Sequence, residues 1–509
     1  MKKLRIISLI LALCLVLGMV PTFAFADTEN TMKMIQLGST GIISPTKVNE
    51  TDTIAYYTPN SYIYFGVNST NESTPNKWRV LDAKKTNDKT TDGIFMLSEY
   101  LLASDVEFRT TANSGGGFQG SDAQEWCQQF ATDKNNFSSF EQDAMLGIEK
   151  KDIKTKLFNY DWYINYEDKL TSDDKLFLLS VQELADYVGN SYYYQKEDGT
   201  YVWLYKYFYA KNTDGKLVSN AWMLRSRVGK NGLLGVVSGG VINRQSETVT
   251  YCARPAFNLN PNSILFTSAA VGGKKSSATG AISKIADYTG NEWKVTLKDA
   301  NRKFSITEEK ASVKSGDTIT LNYTDATVCN DEAPNEYISV IITDSDDNAI
   351  YYGRVMQPKT KSGQVSITIP SDLVNGKYTL NVFSEQYNGG ANDDTKLTDY
   401  ASAFSPVKLT VCDHTANTNK ATCTESAVCS ECGTPLPATG HTFGEWEVTK
   451  SASFFKDGEE TRCCTNEGCT ATETKVVLSK FSTFKSNLFG TDFLKAILTV
   501  FADLLTSNC

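Results

Sequence analysis

Seven of the chain's twelve cysteines and both of its histidines fall between Cys412 and Cys469. A segment this crowded with soft donors can organise around metal ions or around disulfides, and its spacing favours metal. The series runs Cys412-x-His414, Cys423, Cys429-x-x-Cys432-Gly433, His441, Cys463-Cys464 and Cys469. A Cys-x-x-Cys-Gly turn aims two thiolates at one centre, because the glycine lets the chain fold tightly behind them. Zinc takes four such N or S ligands in a tetrahedron. Cys423, Cys429, Cys432 and His441 are expected to complete one Cys3His site, with Cys412, His414, Cys463 and Cys469 as a candidate second. The alternative is a disulfide-stapled β module with exposed histidines. Seven cysteines are odd in number, however, and disulfides do not explain why both histidines sit beside them. With four protein ligands, a zinc here would be structural, with no open position for hydrolysis.

The N-terminus reads as an export signal over residues 1–26. Lys2, Lys3 and Arg5 precede an apolar run from Ile6 to Met19, and Ala24-Phe25-Ala26 offers a small-x-small cleavage site. The run is shorter than the roughly 20 residues a membrane span needs. A secreted or envelope-associated protein is therefore expected, with no transmembrane span after cleavage. The net charge of −9 becomes more negative once three signal-peptide cations are removed. An isoelectric point near 5.1 argues against nucleic-acid partners, because binding phosphate needs a basic face. At 509 residues, the chain is too long for one hydrophobic core.

The organisation expected along the chain is multidomain α+β and all-β. After an extension over 27–49, residues 50–267 form a dense α+β region. Ile63-Tyr64-Phe65-Gly66, Trp78 to Asp82, Ile94 to Glu99 and Leu176 to Val181 read as strands. Ala123 to Phe130 and Phe140 to Ile148 have helical spacing, with Ser139 as N-cap of the second. Trp222-Met223-Leu224-Arg225-Ser226, Val236 to Arg244 and Arg254-Pro255-Ala256 close the region. Residues 268–290, rich in Gly, Ser, Ala and Lys, suit a linker. Alternating runs with turn signals over 291–411 argue for an immunoglobulin-like sandwich, and the Cys/His module follows as a zinc-ribbon-like piece over 412–477. In the tail, 478–509, Phe493, Leu494, Ile497, Leu498, Phe501, Leu504 and Leu505 recur at helical spacing. This amphipathic stripe suits self-association or envelope contact.

The ordered series Tyr64-Phe65-Gly66, Trp78-Arg79-Val80-Leu81, Phe95-Met96-Leu97-Ser98, Phe177-Leu178-Leu179-Ser180, Trp222 to Ser226 and Arg254-Pro255-Ala256 carries a resemblance. It is similar to domain of unknown function family 6273, found in exported proteins of Gram-positive bacteria. The order of Trp-x-Leu-Arg-Ser before Arg-Pro also resembles C-type-lectin-like and formylglycine-generating-enzyme-like folds, which implies a loop-rich α+β domain. The Cys/His series resembles a short module near the C-termini of exported clostridial-type proteins. Leu436-Pro437-Ala438-Thr439-Gly440 matches a sortase motif, but more Cys/His pattern follows it where an apolar segment and basic end are required.

The first region offers several candidate sites. Tyr201, Trp203, Tyr205, Tyr207 and Tyr209 alternate, so a strand would project all five rings from one face. Such a face can bind sugars, or it can cover a sheet. Arg225 and Arg254 are expected as buried arginines, with Glu99, Asp105 and Glu183 as candidate partners. Cys127 and Cys252 resemble the paired cysteines of formylglycine-generating enzymes, but their flanks match no oxidase motif. A disulfide or two inert core thiols is the expectation for them. The overall reading is a non-enzymatic surface protein for binding or adhesion, with a glycan or surface protein as ligand. The alternatives are a glycan-active hydrolase using Glu99 and Glu183, and a self-assembling structural component.

Overall fold

The computed structural model describes residues 35–38, 41–42, 61–69, 74–83, 93–110, 117–151, 156–157, 162–163, 169–188, 193–195, 201–203, 210–211, 216–227, 233–238, 241–275, 280–414, 420–489 and 495–499. The chain is mostly β and divides into two compact units. The second unit comprises residues 312–315, 374–376 and 410–509, and the first comprises the rest.

Alternating and continuous apolar runs become the strands of the first unit. Its main sheet follows the order Leu176–Leu178, Pro255–Leu259, Ile94–Ser98, Thr74–Asp82, Tyr62–Asn68, Glu292–Lys298, Asp399–Ala401, Gly376–Gln386, Glu336–Thr343, Ala349–Met356, Ser283–Lys284. Continuous apolar runs are buried on both faces, as every position of Ile94–Ser98 and Pro255–Leu259 shows. A second sheet is ordered Val241–Ser246, Leu233–Ser238, Trp222–Arg227, Thr250–Ala253, Ala103–Glu107. The run read as Val236 to Arg244 is thus two antiparallel strands. Trp78, Trp222, Trp293, Phe65 and Phe257 lie in the core, with Trp78 edge-on to Phe257 at 4.6 Å.

Two expectations change. Residues 268–275 and 280–290 are built into the first unit. Lys274 is fully buried there among carboxylates, and Ser283–Lys284 pairs with Ala349–Met356. The strands on either side share one sheet, because Tyr62–Asn68 runs parallel to Glu292–Lys298. The second helix, Ser139–Ala144, is capped by Ser138 instead of Ser139. Glu141 returns the bond to the Ser138 N–H in a capping box, and the chain turns extended at Met145.

Glu141 also explains the Tyr-Phe-Gly signature. Its Oε1 accepts the Gly66 N–H at 2.9 Å, at a break in strand register. Gly66 has φ of +67°, and a Cβ there would meet the Phe137 ring at 2.3 Å. A side chain at this position is excluded by both backbone and packing.

Candidate metal centre

The second unit has almost no apolar interior. Among its described residues the buried positions are Val411, Cys412, Cys429, Gly458, Cys464 and Ser479. Its three-stranded sheet, Glu447–Lys450, Gly458–Cys463 and Thr472–Val477, buries little on either face. Three of the six buried residues are cysteines, and they fall into two clusters.

The first cluster joins Cys412, His414, Cys429 and Cys432, and the second joins Cys423, His441, Cys464 and Cys469. In each, the candidate ligand atoms lie within 4.8 Å of one another. In the first, Cys412 Sγ is 3.8 Å from Cys429 Sγ, and His414 Nδ1 is 3.5 Å from Cys412 Sγ and 3.6 Å from Cys432 Sγ. In the second, the Cys423–Cys464 sulfurs are 3.8 Å apart and His441 Nδ1 is 3.4 Å from Cys469 Sγ. A disulfide would need about 2.05 Å. Thiolates at about 2.3 Å from one tetrahedral ion stand about 3.8 Å apart, and a thiolate and an imidazole nitrogen about 3.6 Å. The spacing fits a shared cation, so both clusters can hold a metal ion.

Local structure brings these ligands together. Ala427–Val428 and Pro435–Leu436 form a short hairpin with Cys429 and Cys432 at its tip. The Gly433 N–H returns to the Cys429 carbonyl at 2.9 Å, with Gly433 at φ of +72° and open space where a Cβ would lie. His414, at φ of +64°, turns back so that its ring meets Cys412 two residues earlier. In the second cluster the Gly440 N–H donates to the Cys423 carbonyl, and Phe443 pairs with Cys464. The Leu436 to Gly440 stretch is therefore occupied in linking the ligand segments. Gly468, at φ of +75°, makes the turn into Cys469.

Hydrogen bonds tune the sulfurs. Asn466 Nδ2 donates to Cys423 Sγ at 3.2 Å and holds that thiol below its usual range. Burial, with Cys432 and Cys429 alongside, pushes the Cys412 thiol up to about 11. Without a cation, Cys412 therefore stays protonated; a bound metal would reverse that balance.

This grouping corrects the expected one. Cys429 and Cys432 belong with Cys412 and His414, not with Cys423 and His441. Cys464, not Cys463, joins Cys469, while Cys463 is exposed. Consecutive residues leaving a strand point to opposite sides, so only one of the pair can face the cluster. Cys423 lies between the ligand pairs of the first site in sequence, so the two sites interlock. Spacing alone cannot reveal that interlock.

In the first unit, the motif residues form buried ion pairs. Glu183 pairs with Arg225 and, at 2.6 Å, with Lys150. Its carboxyl is held down to about 2: burial opposes ionisation, but Arg225 and Lys150 outweigh it. Ser180 and Glu183 form a capping box, and Ser226 Oγ accepts the Val181 N–H. Glu99 lies 2.6 Å from Arg79 and 3.9 Å from Arg254, whose Nε donates to the Ser98 carbonyl. Asp105 is exposed. Cys127 and Cys252 are buried free thiols, and burial pushes both thiols up. Tyr201 and Trp203 lie on a strand whose backbone pairs with Tyr193–Gln195. Tyr205, Tyr207 and Tyr209 lie outside the described residues, as does the signal segment. In the tail, Lys480–Phe489 and residues 495–499 are helical, and Ile497 and Leu498 are exposed. Phe493, Leu494, Phe501, Leu504 and Leu505 lie outside the described residues. Among the described residues no helix is long and apolar enough to cross a membrane.

Fold and site together define a β-rich protein of two units, one of which carries paired Cys/His clusters able to hold metal. Residues 91–261 match the family model described as Domain of unknown function (DUF6273), which spans the strands from Ile94 to Leu259 and their buried arginine pairs. No curated protein matches the chain.

Proposed function

We propose that the chain is an exported, non-catalytic binding protein of the cell envelope whose C-terminal module is folded by two structural zinc ions. The observation that carries the metal part of this reading is the spacing of the two Cys3His clusters, while export rests on the N-terminal segment of the sequence. Each offers four protein ligands at tetrahedral separations, which fills zinc's usual coordination and leaves no place for a substrate. Cys412, His414, Cys429 and Cys432 would hold one ion, and Cys423, His441, Cys464 and Cys469 the other. Zinc would supply cohesion to a unit that buries too little apolar surface to fold alone.

Display of a ligand-binding domain is the reading for the first unit, with a lectin-like region over 50–267 and an immunoglobulin-like sandwich over 291–411 as its support. Its ligand class is a glycan, met by the aromatic series Tyr201, Trp203, Tyr205, Tyr207 and Tyr209. The ion pairs of Glu99 and Glu183 favour binding over hydrolysis. A general acid needs a raised pKa, whereas Glu183 is held ionised by two cations. A glycan array of the full chain tests this reading. A defined subset of glycans should bind and be lost in Trp203→Ala. An array without binding rejects the glycan ligand, and sugar-polymer cleavage abolished by Glu99→Gln or Glu183→Gln favours the hydrolase.

A further inference from the structure

The first unit contains a second concentration of chemistry, independent of the metal clusters. The side chains of Lys274, Lys294, Glu385, Asp393 and Asp399 are all fully buried. Burying charges costs so much desolvation that an ion cluster often stabilises a fold no better than well-packed apolar side chains would. A cluster of five at one point therefore invites a chemical role.

The arrangement is directional. Lys274 Nζ contacts Glu385 and lies 2.7 Å from Asp399 Oδ2. Phe266, Tyr387 and Tyr352 surround it, with ring centroids 5.0, 5.4 and 5.6 Å away. Asp399 Oδ1 accepts the Asn388 backbone N–H at 2.5 Å. On the other side of that carboxylate, Lys294 Nζ is 3.3 Å from Oδ2 and is itself anchored 2.6 Å from Asp393 Oδ1. Glu385 Oε2 accepts from Ser339 Oγ at 2.7 Å and Tyr352 OH at 2.8 Å, so its carboxylate is fixed in place. A nucleophile, a carboxyl carbon, a donor for the developing oxyanion, a proton carrier and a cation beside the leaving oxygen converge in one dry site.

We propose that Lys274 and Asp399 join in an intramolecular amide cross-link that the folded unit forms by itself. The Lys274 ammonium passes a proton to Glu385, and the freed amine attacks Asp399 Cγ. The new bond is Nζ–Cγ and the broken bond is Cγ–Oδ2. The Asn388 N–H holds Oδ1 as negative charge gathers on it, and the Lys294 ammonium steadies Oδ2. One ammonium proton stays on the amide nitrogen. The other two leave with Oδ2 as water, relayed by Glu385, which ends as it began. No oxidant or co-reactant is needed, and burial protects the product from hydrolysis. The link would tie strand Asp399–Ala401 to the segment that follows Ile264–Ala269, across 125 residues of sequence.

Mass spectrometry of the full chain, unfolded and reduced so that metal is removed, tests this. The expected result is a mass one water below that of the sequence with the same termini. Proteolysis should yield a branched peptide joining Lys274 to Asp399. Lys274→Arg should restore the sequence mass, and Glu385→Gln should cut the cross-linked fraction at least about tenfold, as loss of a proton carrier does. A wild-type mass equal to the sequence mass overturns the proposal. So does a branch at Lys294, or a water loss that persists in Lys274→Arg.

Discussion

The two units bury different kinds of atoms. The first encloses Trp78, Trp222, Trp293 and a continuous set of Phe, Leu, Ile and Val side chains. The second buries six of its described residues, three of them cysteines that face the clusters. Hydrophobic burial at about 25 cal/mol per Å2 sustains the first without help. Under the proposed zinc reading, the second would obtain its folding energy from ligand bonds, for which a structural zinc supplies roughly 10–16 kcal/mol in small peptides. The contrast shows that compactness and sheet content do not reveal what holds a module together; the identity of its buried atoms does.

The largest expected effect is therefore selective. A strong chelator added to the full chain should open residues 410–489 to proteolysis while the first unit keeps its cooperative thermal transition. Equal resistance of both units would remove the distinction. Trp78→Ala should do the reverse, lowering the first unit's stability by about 3–5 kcal/mol and leaving metal content unchanged. Denaturant unfolding with metal analysis reads both.

Acid sharpens the comparison further. Glu183 is depressed in the folded first unit from 4.5 to about 2. A depressed carboxyl stabilises the fold above its unfolded pKa and loses that contribution as pH falls through its folded pKa. The first unit should therefore lose roughly 3 kcal/mol between about pH 4.5 and pH 2 from this group. In Glu183→Gln that pH-dependent component should vanish, although the variant is less stable at neutral pH because Arg225 is left buried without it. An unchanged acid profile in Glu183→Gln would contradict the assignment.

Much of the first unit was legible because its signals are local. Ile94–Ser98, Leu176–Leu178 and Pro255–Leu259 announce themselves as apolar runs, with Arg225 as a cation inside Trp222–Arg227 and Arg254 just before Pro255–Leu259. The parallel pairing of Tyr62–Asn68 with Glu292–Lys298 was not legible, because it joins segments more than two hundred residues apart. Lys274 looked like part of a polar linker because its partners Glu385 and Asp399 lie over a hundred residues away. In the module the ligand set was nearly complete, but its partition was not. Cys463 and Cys464 are adjacent in sequence and differ only in which way they point, and Cys423 belongs to the site that its neighbours in sequence do not share.

That last distinction yields the smallest expected effect and leads to the decisive measurement. Cys463→Ser should change stability by no more than about 0.5 kcal/mol, as substitutions at exposed sites usually do. Elemental analysis of the full chain, purified without added reductant, should find two zinc ions per molecule in the wild type and in Cys463→Ser, with zinc lost in Cys464→Ser. A metal-free wild type whose clustered cysteines are joined as disulfides would contradict the account.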